Sequence, residues 1–375
     1  MIDLDDKNLI VKYDKSNQLG IMEDWAKFVH EAREKSLKFK IPQSFQWKDR
    51  LFKFKEPTNI IICGMGGSAI AGDYVARLFE KELRIPLIVS RDYYLPSFAD
   101  ENSLVICISY SGNTEETLSR YLDALQKGSM IITISSSGAL EEFSKTTGVP
   151  HLKIKEGIPP RSSLPLIYIT LITLLEKLNI VPSIAEDIIE TEKLLRKLAP
   201  EYSPSISTED NVPKKIAYGL FNTLPIFLGN TIYSPVAYRA KCEFNENSKI
   251  VALNEEIPEH NHNGIVVFDN PDRALNDVAF VFFREKEESK PLKIRIEETK
   301  KLASDRTEKV LEIYSQGKSI LAKQLSSTYL IDFVSIYLAI LYEVDPTVTP
   351  SIDKLKLVLK KNLNMLEDVK KQILK

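Results

Sequence analysis

The residue types most able to do chemistry are concentrated in one short run, Ser109-Tyr110-Ser111-Gly112-Asn113-Thr114-Glu115-Glu116-Thr117. It follows an apolar stretch that reads as a strand and opens a helical pattern. Ser109, Ser111 and Thr114 can point into one cup, where their hydroxyls join backbone amides that have no helical acceptor. That combination suits a phosphate dianion. An N-cap by Asn113 or Thr114 accounts for the same residues without a ligand, and a capped helix can still hold phosphate through the loop before it. A second run, Cys63-Gly64-Met65-Gly66-Gly67-Ser68-Ala69, also sits between strand and helix and fits G-x-G-x-x-A. This is a dinucleotide fingerprint only if an acidic residue ends the next strand; here Arg91-Asp92 follows Ser90, at a longer spacing than usual.

The four histidines are His30, His151, His260 and His262. On a strand, His260 and His262 would face the same way, as two metal ligands do, but no third ligand is identifiable, and a loop pair without metal is the simpler reading. Cys63, Cys107 and Cys242 are far apart and lack zinc spacing; the first two end apolar runs and read as core thiols.

The elements that must position these residues alternate along the chain. Asn59–Cys63, Ile85–Ser90, Ser103–Ile108, Met130–Ile134 and His151–Ile154 read as strands, separated by helical patterns. Near-continuous apolar strands in βαβ order predict a parallel sheet covered on both faces. Helical patterns at Ser162–Lys177 and Ile184–Leu198 follow. The stretch Ala199–Pro213, rich in Pro, Ser and acidic residues, reads as a linker. Beyond it, Pro225–Leu228, Lys249–Leu253, Gly264–Asp269, Val278–Arg284 and Lys309–Tyr314 read as strands, with helices at Ser234–Asn245, Ser319–Tyr342 and Ile352–Leu374. The expectation is two α/β domains, each a parallel sheet flanked by helices in a flavodoxin-like three-layer sandwich.

Charge and hydropathy narrow the function classes. Fifty Lys and Arg balance 52 Asp and Glu over 375 residues, which argues against a general nucleic-acid binder. Met1–Ile10 lacks the layout of a signal peptide. No apolar run reaches the ~18 residues that read as a membrane span, and Leu164–Leu175 reads as a buried helix. A cytoplasmic protein with neither a membrane nor a nucleic-acid partner is expected.

Taken together, the motifs resemble the SIS (sugar isomerase) fold and, more closely, the bifunctional phosphoglucose/phosphomannose isomerase family. The resemblance runs from about Asn59 to Lys356. Besides the two loops it rests on Pro160-Arg161-Ser162-Ser163-Leu164-Pro165, Asn245-Glu246-Asn247-Ser248-Lys249, Pro258-Glu259-His260-Asn261-His262-Asn263, Asp332–Ala339 and Asp345-Pro346-Thr347. With the linker read from composition, the expected organisation is an N-terminal helical extension over 1–45, a first SIS domain over 46–199, a linker over 200–213, and a second SIS domain with a C-terminal helix over 214–375.

The resemblance further implies a metal- and cofactor-independent aldose–ketose isomerase. It would interconvert glucose 6-phosphate and mannose 6-phosphate with fructose 6-phosphate through a cis-enediol. Gly66, Gly67, Ser68, Ser109, Ser111 and Thr114 would hold the phosphate, and Glu246 would be the base. His262 would open the ring, and Arg161, always charged, would meet the enediolate. The ring-opening lysine is one of Lys354 and Lys356, with the Leu-Lys register pointing to Lys356. The segment departs from Asp-Pro-Thr-Pro-Val by carrying Val348-Thr349-Pro350, so Thr347 or Thr349 would shape the room at C2. The family's active site lies at a dimer interface, implying a homodimer. The competing readings are another ketose or amino-sugar phosphate isomerase, a sugar-phosphate-binding regulator and a nicotinamide dehydrogenase.

Overall fold

The computed structural model describes residues 2–270 and 275–374. Its chain groups into two compact units, 1–27 with 184–348 and 28–183 with 349–375. The chain opens with α1 (Lys7–Tyr13), α2 (Gln18–Glu23) and α3 (Trp25–Lys38), then a hairpin of β1 (Ser44–Trp47) and β2 (Arg50–Lys53).

In the unit of 28–183 the strands are β3 (Asn59–Cys63), β4 (Leu87–Ser90), β5 (Ser103–Ile108), β6 (Met130–Ser135) and β7 (His151–Lys153). They form one parallel sheet in the order β4-β3-β5-β6-β7. This is the flavodoxin-like order, whose switch point falls between β3 and β5. Ile61, Val105 and Ile131 face a core that also holds Leu118, Tyr121, Leu140, Phe143 and the hairpin's Phe45 and Phe52. The helices on that face are α5 (Glu115–Lys127) and α6 (Ala139–Thr147). On the sheet's other face lie α4 (Gly66–Leu78) and α7 (Leu164–Lys177), whose Tyr74 and Tyr168 rings meet edge to face at 5.4 Å. A Cβ at Gly72 would lie 2.8 Å from the Val89 side chain, so a glycine there lets α4 approach the sheet closely.

The unit of 184–348 carries α8 (Ala185–Tyr202), α9 (Val212–Leu220), β8 (Leu224–Asn230), α10 (Ser234–Glu243), β9 (Leu253–Ile257), β10 (Val278–Arg284), α11 (Lys290–Ser304), β11 (Val310–Tyr314) and α12 (Ile320–Leu341). Its sheet is again all parallel, in the order β11-β10-β8-β9. Read from the other edge, this is the first unit's order short of one strand. The two units therefore repeat one topology.

Several expectations need correction. The stretch 199–213 does not separate two domains, because it lies inside the compact unit of 184–348. Helix α8 continues through Pro200, and Tyr202 packs 5.8 Å from both Tyr329 and Phe333. The buried Lys214 ammonium donates to the carbonyls of Pro204 (3.0 Å) and Ile206 (2.7 Å) and to Asp5 (2.9 Å). The opening residues thus belong with the second half, through Asp5 and through Trp25, which lies 5.4 Å from Tyr329. The chain's last segment joins the first half. It is broken at the left-handed Asn364 into α13 (Pro350–Leu363) and α14 (Met365–Leu374), and Val369 and Ile373 of α14 enter the first unit's core. Gly264–Asp269 is a 3-10 segment, not a strand: Phe268 is buried while Val266 and Val267 face out. The strand expected over Lys249–Leu253 begins only at Leu253, because Lys249 is left-handed (φ 60°). Finally, α12 is long and apolar enough to cross a membrane, contrary to the sequence reading, and its apolar window lies wholly inside the protein. Cys63 and Cys107 are buried free thiols, as expected.

Candidate active site

Both glycine- and serine-rich loops leave the sheet of the first unit at its carboxyl end, one after β3 and one after β5, on the two sides of the switch point. After β5, the Ser109 hydroxyl is buried and lies 2.8 Å from Thr114 Oγ1. Thr114 occupies the N-cap position of α5, but its side chain does not cap. Among the described residues, the first amides of α5 therefore meet no side-chain acceptor, the condition an anion site needs. Asn113 does not cap either, since its Oδ1 accepts from Ala139 N–H (3.0 Å). Ser111 is exposed, and its hydroxyl accepts from Asn113 N–H (3.3 Å).

Backbone packing locks the loop's shape. Gly112 is left-handed (φ +71°), and a Cβ there would lie 1.8 Å from the Ser137 carbonyl oxygen. Gly138 (φ +83°) answers it, since its Cβ would lie 2.4 Å from the Ser111 carbonyl oxygen. These two turns interlock so closely that only glycine satisfies both backbone conformation and space.

Three segments meet here. Tyr110 N–H donates to Ser68 Oγ (3.2 Å), joining the serine loop to the glycine turn that starts α4. The Tyr110 hydroxyl accepts from Ile158 N–H (3.1 Å), joining it to the loop that carries Arg161. A Cβ on Gly67 would lie 3.3 Å from the Pro160 carbonyl oxygen and 3.7 Å from Arg161 Cα, so the glycine turn abuts that loop directly. Arg161 is buried in the 3-10 turn Pro160–Ser163. Gly66, Gly67, Ser68, Ser109, Ser111, Thr114 and Arg161 thus gather at one end of one sheet.

Some residues here were not singled out by their sequence. Arg120 is fully buried, and its guanidinium donates to the Ser90 carbonyl and, at 3.1 and 3.4 Å, to the carbonyls of Glu116 and Gly64. It ties the ends of β3 and β4 to the first turn of α5. The Thr117 hydroxyl and Glu115 Oε2 are buried at the same helix start with no hydrogen-bond partner among the described residues. Burial, reinforced by the charge of Glu116, raises the Glu115 pKa. The dinucleotide reading loses its acid, because β4 ends in Ser90, Arg91 pairs with Asp73, and Asp92 accepts from Tyr93 N–H (2.6 Å). The other residues assigned to this unit lie on α13. Thr349 is its N-cap, half-buried, while Lys354 and Lys356 are both exposed in the first two turns.

In the second unit the corresponding loop after β10 reads Glu285-Lys286-Glu287-Glu288-Ser289, and carboxylates take up the charge of Arg284 there. That loop offers carboxylates where the first unit offers hydroxyls; Glu246 and His262 lie elsewhere in this unit. Glu246 is half-buried in a single π-helical turn, Phe244–Ser248, that ends α10. Such wide turns are rare and concentrate at functional sites. His260 and His262 lie on a 3-10 turn, Glu259–His262, rather than on a strand. His260 is buried, with its pKa lowered by burial, whereas His262 is exposed. The two rings therefore do not form a chelating pair.

Comparison with known proteins finds two family domains along the chain. Residues 53–171 match the SIS domain, and residues 209–359 match the bacterial phospho-glucose isomerase C-terminal SIS domain. The chain is 40% identical over 305 residues to the bifunctional phosphoglucose/phosphomannose isomerase of Caldicellulosiruptor bescii, covering 81% of this chain and 90% of that one. It is 33% identical to the enzyme of the same name from Aquifex aeolicus, over 85% of this chain and 95% of the other. The fold is shared with a hypothetical protein from Thermus thermophilus, at a TM-score of 0.70 and 15% identity over 95% and 93% of the two chains. The chain belongs to the bifunctional phosphoglucose/phosphomannose isomerase family.

Proposed function

We propose that this enzyme interconverts glucose 6-phosphate and mannose 6-phosphate with fructose 6-phosphate, with the hydroxyl cradle at the β3/β5 switch point as the phosphate anchor. The observation that carries the reading is the convergence of Ser68, Ser109, Thr114 and the Arg161 loop there, around an α5 start that no side chain among the described residues caps.

Once the phosphate is held, the sugar carbons are fixed relative to the protein, and the remaining task is proton movement. His262 and Lys356 open the pyranose by helping a proton leave the C1 hydroxyl and reach the ring oxygen. Glu246 then takes the proton from C2, and the electron pair left behind makes the enediolate, with its charge on O1 facing Arg161. A proton passes from O2 to O1, and Glu246 returns its proton to C1, leaving a ketone at C2. Fructose 6-phosphate formed from either face of C2 is the same molecule, so room at C2, shaped by Thr349, decides acceptance of mannose beside glucose. We also propose a cytoplasmic homodimer whose site draws on both chains, supported by the exposure of His262 and of Leu355, Leu357 and Val358 on α13.

The test is Glu246→Gln. It should abolish conversion of both hexose phosphates in a coupled assay while inorganic phosphate still protects the protein in thermal shift. An active Gln variant would remove Glu246 as the base. Activity abolished by EDTA would overturn the metal-independent scheme.

A further inference from the structure

The π turn that carries Glu246 is tied to the scaffold through its other side chains. Phe244 packs edge-on to Phe227 at 4.8 Å, and Asn245 Nδ2 donates to the Ile250 carbonyl (2.8 Å). Ser248 Oγ donates to the Ser335 carbonyl of α12 (2.7 Å). Asn247 is the junction: its Nδ2 donates to both Glu243 Oε2 and Ser335 Oγ, each at 2.9 Å. Ser335 Oγ in turn donates to the Asp332 carbonyl (2.6 Å). Arg239 closes the circuit, 2.5 Å from Asp332 and 3.1 Å from Glu243. Asn247, Ser248, Glu243, Ser335, Asp332 and Arg239 are each at most 3% exposed.

We infer that Asn247 is a positioning residue that sets the aim of Glu246 by pinning the π turn to α12 through Glu243 and Ser335; this rests on the reading of Glu246 as the base. A π turn forgoes the tighter α-helical ladder and persists where side-chain bonds hold it open. If those bonds go, the turn tightens toward α geometry, in which each residue step is a rotation of about 100°. Glu246 would swing with it. The phosphate cradle belongs to another part of the chain and keeps its geometry, so substrate capture and proton transfer should separate.

Two variants test this. Asn247→Asp keeps the side chain's volume but turns its donor into an acceptor against Glu243, and Ser335→Ala deletes a single hydroxyl. Each should lower kcat by about 10- to 100-fold, in keeping with a misplacement of ångström size, with KM for fructose 6-phosphate within about 2-fold of the parent. The primary isotope effect with 2-deuterated glucose 6-phosphate should rise, because proton transfer has become slower relative to binding steps. A role confined to stability would lower the folded fraction and leave the isotope effect unchanged. Parental kcat in both variants, or an unchanged isotope effect, overturns the inference. Should Asn247→Asp fail to fold, Ser335→Ala decides it alone. An inactive Glu246→Gln enzyme beside parental Asn247→Asp and Ser335→Ala sinks this inference only, whereas an active Glu246→Gln enzyme sinks the assignment of the base and this inference together.

Discussion

Replacing Gly112 by alanine should damage the phosphate anchor in a way that can be worked out from two quantities. The first is backbone strain: φ is +71° at this position, and an L-residue held in the left-handed region costs about 1–2 kcal/mol. The second is space. The new Cβ would lie 1.8 Å from the Ser137 carbonyl oxygen, against the 3.0 Å floor for real Cβ contacts, so the two turns must part by at least about 1.2 Å. Little can yield, because the Ser137 carbonyl also accepts from Ser135 Oγ (2.9 Å) and Gly138 is packed against Ser111. Overpacking of this kind costs about 1–3 kcal/mol, for a combined destabilisation of about 2–5 kcal/mol. Gly157→Ala separates the two contributions: it has φ +88° with nothing within 4 Å of the added Cβ, so it bears the strain alone. Urea unfolding of both variants measures the difference, and a coupled assay measures KM for fructose 6-phosphate. That KM should rise by up to about 100-fold in Gly112→Ala, since an opening of ångström size is comparable to misplacements of that consequence. If Gly112→Ala is no less stable than Gly157→Ala, within about 0.5 kcal/mol, and its KM is parental, the interlocked-turn account is wrong.

Three further outcomes are expected. Tyr110→Phe removes the acceptor of Ile158 N–H; an orphaned backbone donor costs about 1–3 kcal/mol, and because the freed segment carries Arg161, kcat should fall more than KM rises, a pattern that steady-state kinetics would contradict if KM alone moved. His151 links stability to pH: burial lowers its pKa from 6.5 to about 4, so the folded protein keeps the ring neutral, its stabilisation is complete above pH 6.5 and is lost as pH falls toward 4, and on the order of 3 kcal/mol is at stake at most. Urea melts of His151→Gln between pH 7 and 4 should show a shallower acid decline than the parent, and parallel curves would refute the linkage. On α13, Lys356→Ala should lower kcat/KM about 100-fold or more, the range of lost acid–base assistance, while Lys354→Ala stays near the parent; the reverse order in the coupled assay would move the ring-opening role to Lys354.

The strands that were legible from the sequence share one property. Asn59–Cys63, Ser103–Ile108 and Val278–Arg284 have the bounds read from the sequence around their apolar runs. A central parallel strand is buried on both faces, so composition alone marks it. Where burial is one-sided, legibility failed. Gly264–Asp269 has the composition of a strand yet buries only Phe268, and it coils as a 3-10 segment. Ala199–Pro213 has the composition of a linker, but Tyr202, Asn211 and the adjoining Lys214 are buried by partners distant in sequence, among them Asp5 and Tyr329.

The candidate site divides along the same line. Its hydroxyls, glycines and Arg161 are local motifs, and the kind of ligand they suit could be read from residue types and spacing because an uncapped helix start after a parallel strand, lined with hydroxyls, suits an anion. What the sequence by itself determined was therefore the kind of ligand, a phosphate, while the family resemblance supplied the isomerase chemistry and the proposal of Glu246 as base. The tertiary structure alone decided which side chains hold those groups in place. Thr114 turns from capping its helix to pairing with Ser109, Tyr110 bridges to Ser68 and Ile158, and Arg120 joins the carbonyls of Gly64, Ser90 and Glu116. Asn247 is held between Glu243 and Ser335, a residue 88 positions along the chain. The contacts of Tyr110, those of Arg120 with Gly64 and Ser90, and that of Asn247 with Ser335 join segments far apart in sequence, and no periodicity or spacing encodes them, because their geometry exists only once the sheets and helices have packed.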